Sequence, residues 1–536
     1  MPTENNSRTT DGSAVNSPAG GASIANLSFV SVVPPRFAAS HAAVRRHLRN
    51  GIDGSVISEP LFVGYRTTSL SPTSTPDRAS FYTYERFLAT LLFLAIILAC
   101  GLMPMQPDTW WQLRAGRDMW LSRHVLLTDV YSHTAYGSFW PNHEWLAEVI
   151  YYAMYRFGGL PMVTLFATAL IAGGWAITWR LAKGPVRAVF AWTALALVPA
   201  SLWWEPRPHA FSLLFVMTTV FLLVRRRYLW LPLVFVVWAN CHGGVLLGFV
   251  ILAAGLGVRT LMAPRVWWQA ALIGLGCVLA ATATPLGLSF WTEIPKSLMR
   301  IHSYPIDEWR RPNVMDVHEL LFWVIAIAFC GTLFRKRRTL SGAAAGDLTL
   351  YACALAMLPT AILAVRNVGP FLMIAVPAMT SLVLVRRQRA ARRETQRPLL
   401  NLAVMSSAAI AVTMTIVWAY RNEIPHLHWA PVPASALVAL GQCPDNLYNR
   451  YDEGGYLVWF APDRKVFLDG RQDPYPPDLM RDHIRMETVG GDYKAAFSRY
   501  GIHCAYLPAV SPTVAQLSTA GWKTLYHDSQ WVVLRD

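Results

Sequence analysis

Long apolar runs recur through the middle of the chain, separated by short polar connections. They lie near 82–104, 160–182, 186–204, 210–224, 228–241, 243–262, 266–284, 318–334, 347–365, 370–385 and 400–420. Most approach the roughly 20 residues that a helix needs to cross a bilayer. Runs 210–224 and 228–241 are short, and need a thinned membrane or shielding neighbours. The pattern predicts eleven transmembrane helices, which puts the termini on opposite faces. Residues 1–80 are rich in Ser, Thr, Pro, Gly and Asn with little apolar periodicity, so they read as a mostly disordered tail without a signal peptide. Beyond 420 the apolar stretches shorten. KVFLD (465–469), HCAYLP (503–508), WKTLYH (522–527) and WVVLRD (531–536) read as strands. Asp478–Glu487, Tyr493–Tyr500 and Pro512–Ala520 read as short helices. The expected fold is an all-α polytopic membrane domain over 81–420, followed by a small α/β domain over 421–536.

Composition agrees with a membrane protein. Of 536 residues, 54% are apolar and only 15% are charged, against roughly 25% charged in soluble domains; the mean hydropathy is +0.31. The net charge of +15 raises nucleic acid as a partner. No basic face interleaved with base-stacking aromatics supports that, so nucleic-acid binding is excluded. The seven cysteines show no CxxC or zinc-like spacing.

Charge also orients the chain. Arg180, Lys183 and Arg187 form one basic connection, Arg225–Arg227 a second, and Arg259 with Arg265 a third. Arg335, Lys336, Arg337 and Arg338 form a fourth; Arg386, Arg387, Arg389, Arg392, Arg393 and Arg397 form a fifth. All five fall on one side of an eleven-helix chain, together with the N-terminus, and that side is expected to be cytoplasmic. The C-terminal domain is then extracytoplasmic. Cys443 and Cys504, its only cysteines, become a candidate disulfide in an oxidising compartment.

The opposite side collects different chemistry. It receives 105–145, where Asp108 follows the first run directly and five tryptophans (Trp110, Trp111, Trp120, Trp140, Trp145) favour the membrane boundary. We expect this stretch to be a loop folded onto the membrane surface. The same side receives WWEPRPH (203–209), NCHGG (240–244), IDEWRRPN (306–313) and Arg366–Asn367. Carboxylates and imidazoles move protons, and arginines read phosphate bidentately. Such groups at the outer ends of several helices predict a pocket for an anionic, hydroxyl-rich substrate. In the C-terminal domain, Asp469-Gly470-Arg471 reads as a turn with an Asp–Arg ion pair.

These motifs carry a resemblance. An Asp directly after the first span, a surface loop, and the amphipathic stretch WPNHEWLAEVIYYAMYRFGG (140–159) running through Phe-Gly into the next span resemble the GT-C superfamily of membrane glycosyltransferases. The similarity is to the protein mannosyltransferase and aminoarabinose transferase branch. Over 81–536 the chain also resembles bacterial GT-C-like membrane proteins with DxWWxLxxG (108–116), NHEW (142–145), HGG (242–244), EW (308–309), RN (366–367) and a GGYL stretch (454–457) in a small outer domain.

The resemblance implies a GT-C-like glycosyltransferase of a bacterial inner membrane, with its first outer loop at 105–159. It would move a sugar from a polyprenyl-phosphate donor to an extracytoplasmic acceptor (lipid, glycan or protein), inverting the anomeric centre. Asp108 takes the role of base. Arg207 and Arg366 are the candidates for the leaving phosphate; His143, Glu144, His209, His242, Glu308, Trp309 and Asn367 are further substrate-binding candidates. The chain departs from the family in two places. Asp108-Thr109-Trp110 is neither Asp-Glu nor Asp-x-Asp, so a second acid would come from Asp129 or Glu144. Pro141-Asn142-His143-Glu144 replaces the usual Lys-Pro-Pro. No cofactor is expected, and nothing in the sequence supports a divalent metal. The alternatives are a transporter or flippase for a lipid-linked sugar, or a non-catalytic envelope assembly protein.

Overall fold

The computed structural model describes residues 83–300, 306–384, 397–444, 446–488 and 492–536. The expected tail 1–80 and basic residues 386–393 lie outside the described residues. The first helix, α1 (Tyr84–Gly101), starts at Thr83, whose side chain accepts the Arg86 N–H. The stretch expected as a surface loop instead opens with a helix, α2 (Pro107–Ser122), with Pro107 in its first turn. Proline at that position loses no intrahelical bond. The helix is too polar to span and lies against its neighbours through Trp110, Trp111, Leu113 and Met119.

Next come α3 (Trp145–Leu181), α4 (Val186–Ala200), α5 (His209–Val224), α6 (Leu231–Cys241), α7 (Val245–Met262), α8 (Trp267–Thr282) and α9 (Phe290–Arg300). Then follow α10 (Val317–Lys336), α11 (Ala345–Leu363), α12 (Val368–Leu384) and α13 (Pro398–Arg421). Among the described residues nine helical stretches are long and apolar enough to cross a membrane, with α5 and α6 as shorter apolar helices. They occupy the eleven positions that hydropathy marks, and the protein is a multi-pass membrane protein. The amphipathic lead-in and the second span form one element, α3, broken at Gly158 and Gly159 (φ 65°) ahead of Pro161. Glycine takes that backbone without a Cβ clash. The α12 span is buried almost throughout and α13 is nearly all exposed, so α12 sits at the centre of the bundle and α13 at its rim.

Basic connections gather at one end of the bundle. Lys183, after α3, pairs with Asp347 of α11 at 2.6 Å, and its N–H donates to Thr380 of α12. Lys336, ending α10, donates to the Leu382 carbonyl of α12. The connections bearing the candidate site residues alternate with these, at the other ends of the same helices.

The C-terminal part contains α14 (Ala434–Leu440), β1 (Leu447–Asn449), α15 (Tyr451–Phe460), α16 (Pro477–Met486), α17 (Lys494–Tyr500), β2 (Cys504–Pro508), α18 (Pro512–Thr519), β3 (Lys523–His527) and β4 (Trp531–Arg535). The sheet runs β1-β2-β4-β3, with β1 parallel to β2 and the other pairs antiparallel. Cys443 and Cys504 form a disulfide, with Cα atoms 5.6 Å apart, that ties the chain ahead of β1 to β2. The expected strand 465–469 is not in this sheet. Val466 bridges Ser132 of the α2–α3 connection instead, accepting from His133 N–H and donating to the Tyr131 carbonyl. The GGYL stretch lies on α15, which packs on α2. Trp110 meets Phe460 at 4.7 Å between ring centroids, and a Cβ on Gly455 would sit 2.2 Å from the Pro107 carbonyl oxygen.

Candidate functional site

Asp108 lies in the first turn of α2. That position suits an anion, because the free N–H groups and the helix dipole face it. The start of α2 is tied to the Trp203–Pro208 segment by Thr109 Oγ1, which donates to the Pro206 carbonyl. Arg207, one residue on, is held by Tyr151, whose hydroxyl donates to the Arg207 carbonyl at 2.9 Å. Asp108 and Arg207 therefore meet. Arg207 Nη1 donates to Asp108 Oδ2 at 2.9 Å, and Trp111 Nε1 donates to Asp108 Oδ1 at 3.0 Å.

The network continues outward from Arg207. Its Nη2 donates to Glu308 Oε2 at 2.9 Å, and Arg366 Nη1 donates to Glu308 Oε1 at 2.7 Å. One carboxylate thus bridges two guanidiniums. Glu308 is on a short 3-10 turn, Asp307–Trp309, and Arg366 is on another, Val365–Asn367. The Val365 N–H donates to the Arg310 carbonyl and joins the two turns. Arg366 also lies over the Trp309 ring at 4.6 Å.

His242 forms the third side. Its Nδ1 accepts the Gly244 N–H and lies 2.6 Å from Ser212 Oγ, which itself accepts the Trp238 N–H. The other ring nitrogen, Nε2, faces Glu144 and Arg366. That nitrogen is 3.6 Å from Glu144 Oε1 and 3.3 Å from Arg366 Nη2. Glu144 takes the Gln112 N–H on its other oxygen, and His143 Nε2 is 3.8 Å away. Eight of the ten sequence candidates thus form one contiguous cluster. His209 is set back, its Nε2 on the Trp203 carbonyl. Asn367 donates to the Thr360 carbonyl and finishes α11, so it points out of the cluster.

The electrostatics follow from burial and pairing. Burial works against an ionised Glu308, but Arg366 and Arg207 outweigh it and pull the carboxyl down to about 2. Burial also opposes the Arg207 charge, and Glu308, Glu205 and Asp108 more than offset it. Asp108 is the most open of the titratable side chains in the cluster, at 28% exposure. Loss of water on its protein-facing sides still raises its carboxyl above the ordinary range, against the pull of Arg207 and Trp111. Burial raises Glu144 likewise, and burial followed by Arg366 holds His242 well below the usual imidazole range.

Two further features escape the sequence. Glu205 is buried 3.8 Å from Arg207; an acid two residues from the arginine was the available signal. Gly470 belongs to the C-terminal domain, yet a Cβ there would lie 2.0 Å from Asp108 Oδ1. Nothing local in the sequence announces that contact. Asp129, expected as a possible second acid, is fully buried and pairs with Arg471 at 2.7 Å. Arg471 also binds Asp469 and lies over the Tyr131 and Trp140 rings, so the predicted Asp–Arg turn fastens the α2–α3 connection to the C-terminal part.

Among the described residues no group of three or more His, Cys, Asp or Glu is placed to hold a metal ion. The residues present do not fit a divalent cation, because the Asp108 and Glu308 carboxylates are each already held by Arg207.

No protein-family profile matches the chain, and no curated protein sequence matches it. Among solved structures, the fold is similar to ArnT from Cupriavidus metallidurans bound to undecaprenyl phosphate, at TM-score 0.45 and 14% identity, over 83% of this chain and 97% of that one. It is also similar to the Archaeoglobus fulgidus oligosaccharyltransferase tethered with an acceptor peptide, at TM-score 0.46 and 12% identity, over 80% and 70% of the two chains.

Proposed function

We propose that the protein is an inverting glycosyltransferase of a bacterial inner membrane, working on its outer face with a polyprenyl-phosphate sugar as donor. The observation that carries the reading is the unbroken chain Asp108–Arg207–Glu308–Arg366, assembled from four connections at one end of the bundle. It sets a partly open carboxylate beside two guanidiniums, which is what transfer from a phosphate requires.

Asp108 accepts the proton of an acceptor hydroxyl as that oxygen bonds to the anomeric carbon. The bond from that carbon to the phosphate oxygen breaks, and the polyprenyl phosphate leaves with the electron pair. Arg207 and Arg366 meet the charge that develops there. Carboxylate bases of this kind contribute about 10²–10⁴-fold. A raised Asp108 carboxyl is a stronger base while it remains ionised, and its helix N-terminus and Arg207 favour that state. The basic connections at the opposite end support a cytoplasmic location for them and an extracytoplasmic C-terminal domain.

A transporter would place ionisable groups midway along its spans, whereas these lie at the span ends. The test is to extract polyprenyl-phosphate sugars from cells with and without the gene, and to incubate the purified protein with that lipid fraction together with an envelope extract that supplies the acceptor. The expected result is donor accumulation without the gene, and release of polyprenyl phosphate by the protein. Unchanged lipids and no release would overturn the reading.

A further inference from the structure

The Arg207–Arg366 pair already holds an anion, and that anion is internal. Glu308 presents one carboxylate oxygen to each guanidinium, at 2.9 and 2.7 Å. The two non-bridging oxygens of a phosphodiester have nearly the spacing of two carboxylate oxygens and suit the same planar donors. We infer that Glu308 occupies the phosphate position of the site and that the donor's phosphate displaces it. This rests on the reading of the protein as an enzyme of lipid-phosphate sugars.

Three observations carry the inference. First, the arginines do not depend on Glu308 for their places. Arg207 is anchored by Asp108 at its side chain and by Tyr151 at its carbonyl, and Arg366 by the Trp309 ring. The clamp therefore survives the loss of Glu308. Second, Glu308 is on a three-residue turn and not on a span, and its neighbours Asp307 and Arg310 are exposed. A side chain on such a turn can change its rotamer without moving a span. Third, charge opposes simple addition. Asp108, Glu308 and Glu205 already face the two guanidiniums. A phosphate added without a departure would put a further anion on the same two cations in a water-poor site, where like charges repel strongly. Arg207 Nε, buried and without a hydrogen-bond partner, keeps a further donor available for an incoming oxygen.

An internal competitor weakens the apparent affinity in proportion to the time it holds the clamp. The experiment measures binding of undecaprenyl phosphate to the full-length protein in nanodiscs, wild type against Glu308→Gln. Glutamine keeps the shape and an acceptor oxygen but loses the charge. The expected result is binding about 10-fold tighter in the variant. Equal or weaker binding would overturn the inference and leave Glu308 as a permanent strut between the arginines. If neither protein bound the lipid, the enzyme reading would fall, and this inference with it. Should the variant fail to fold, hydrogen exchange on the wild type decides. Added undecaprenyl phosphate should speed exchange in 306–310, and slower or unchanged exchange there would overturn the inference.

Discussion

Gly470→Ala tests whether the C-terminal part sets the position of the candidate base. The Ala Cβ would lie 2.0 Å from Asp108 Oδ1, 3.2 Å from its Cγ and 3.3 Å from Trp111 Nε1. Contacts of a Cβ do not fall below 3.0 Å, so one partner must move by about 1 Å or more. The Gly470 backbone is held by the Tyr451 hydroxyl on its carbonyl and by the buried Arg471–Asp469–Asp129 group beside it. The α2 backbone is held by Pro107 at its start and by the Thr109–Pro206 bond. The carboxylate is the free end and must rotate, abandoning its place between Trp111 and Arg207. Misplacing a reacting group by about 1 Å costs about 10²-fold in rate, while overpacking of this kind costs about 1–3 kcal/mol of stability. The assay is release of polyprenyl phosphate from the extracted donor lipids, with thermal melting measured alongside. Gly454→Ala is the control. Its Cβ would meet the Leu468 carbonyl oxygen at 2.0 Å, a backbone atom that cannot rotate away. The control should lose more stability while keeping its turnover per folded molecule. A folded Gly470→Ala protein with near-normal turnover would refute the reasoning.

Asp108→Asn should lower transfer by about 10²–10⁴-fold while the protein still folds and binds undecaprenyl phosphate; near-normal transfer would pass the role of base to Glu144. Because the Asp108 carboxyl is raised above its ordinary 3.8, activity should be lost as pH falls through a value above 3.8 and regained as it rises, which a rate profile against pH reads directly. Arg471→Met should destabilise by about 3–5 kcal/mol, because it leaves buried Asp129 and Asp469 without their cation, and melting of the purified protein would show it. The Cys443–Cys504 bridge closes a separation of 61 residues, so replacing both cysteines by serine should cost about 4 kcal/mol, seen as a lower melting point that reductant no longer changes.

Hydropathy alone located the spans, because a lipid-facing helix must be apolar over the whole membrane thickness whatever it packs against. Basic connections alone separated the two ends, since that signal is a sum over loops and needs no contact. The motif residues were legible because each is costly at a span end unless it has a partner. Partner choice was not legible. Nothing before the fold says that Glu308 bridges Arg207 and Arg366, or that Asp129 goes to Arg471, because these pairings join connections far apart in the chain. KVFLD shows why local pattern ran out in the C-terminal part. Its alternation fits a strand, but Val466 pairs with the α2–α3 connection and not with the sheet, whose first strand is the three-residue Leu447–Asn449, too short to show a period. The contact of Gly470 with Asp108 was decided only by tertiary structure. A glycine marks a close approach only once the other surface is known, and here that surface is the first turn of a helix more than half the chain away.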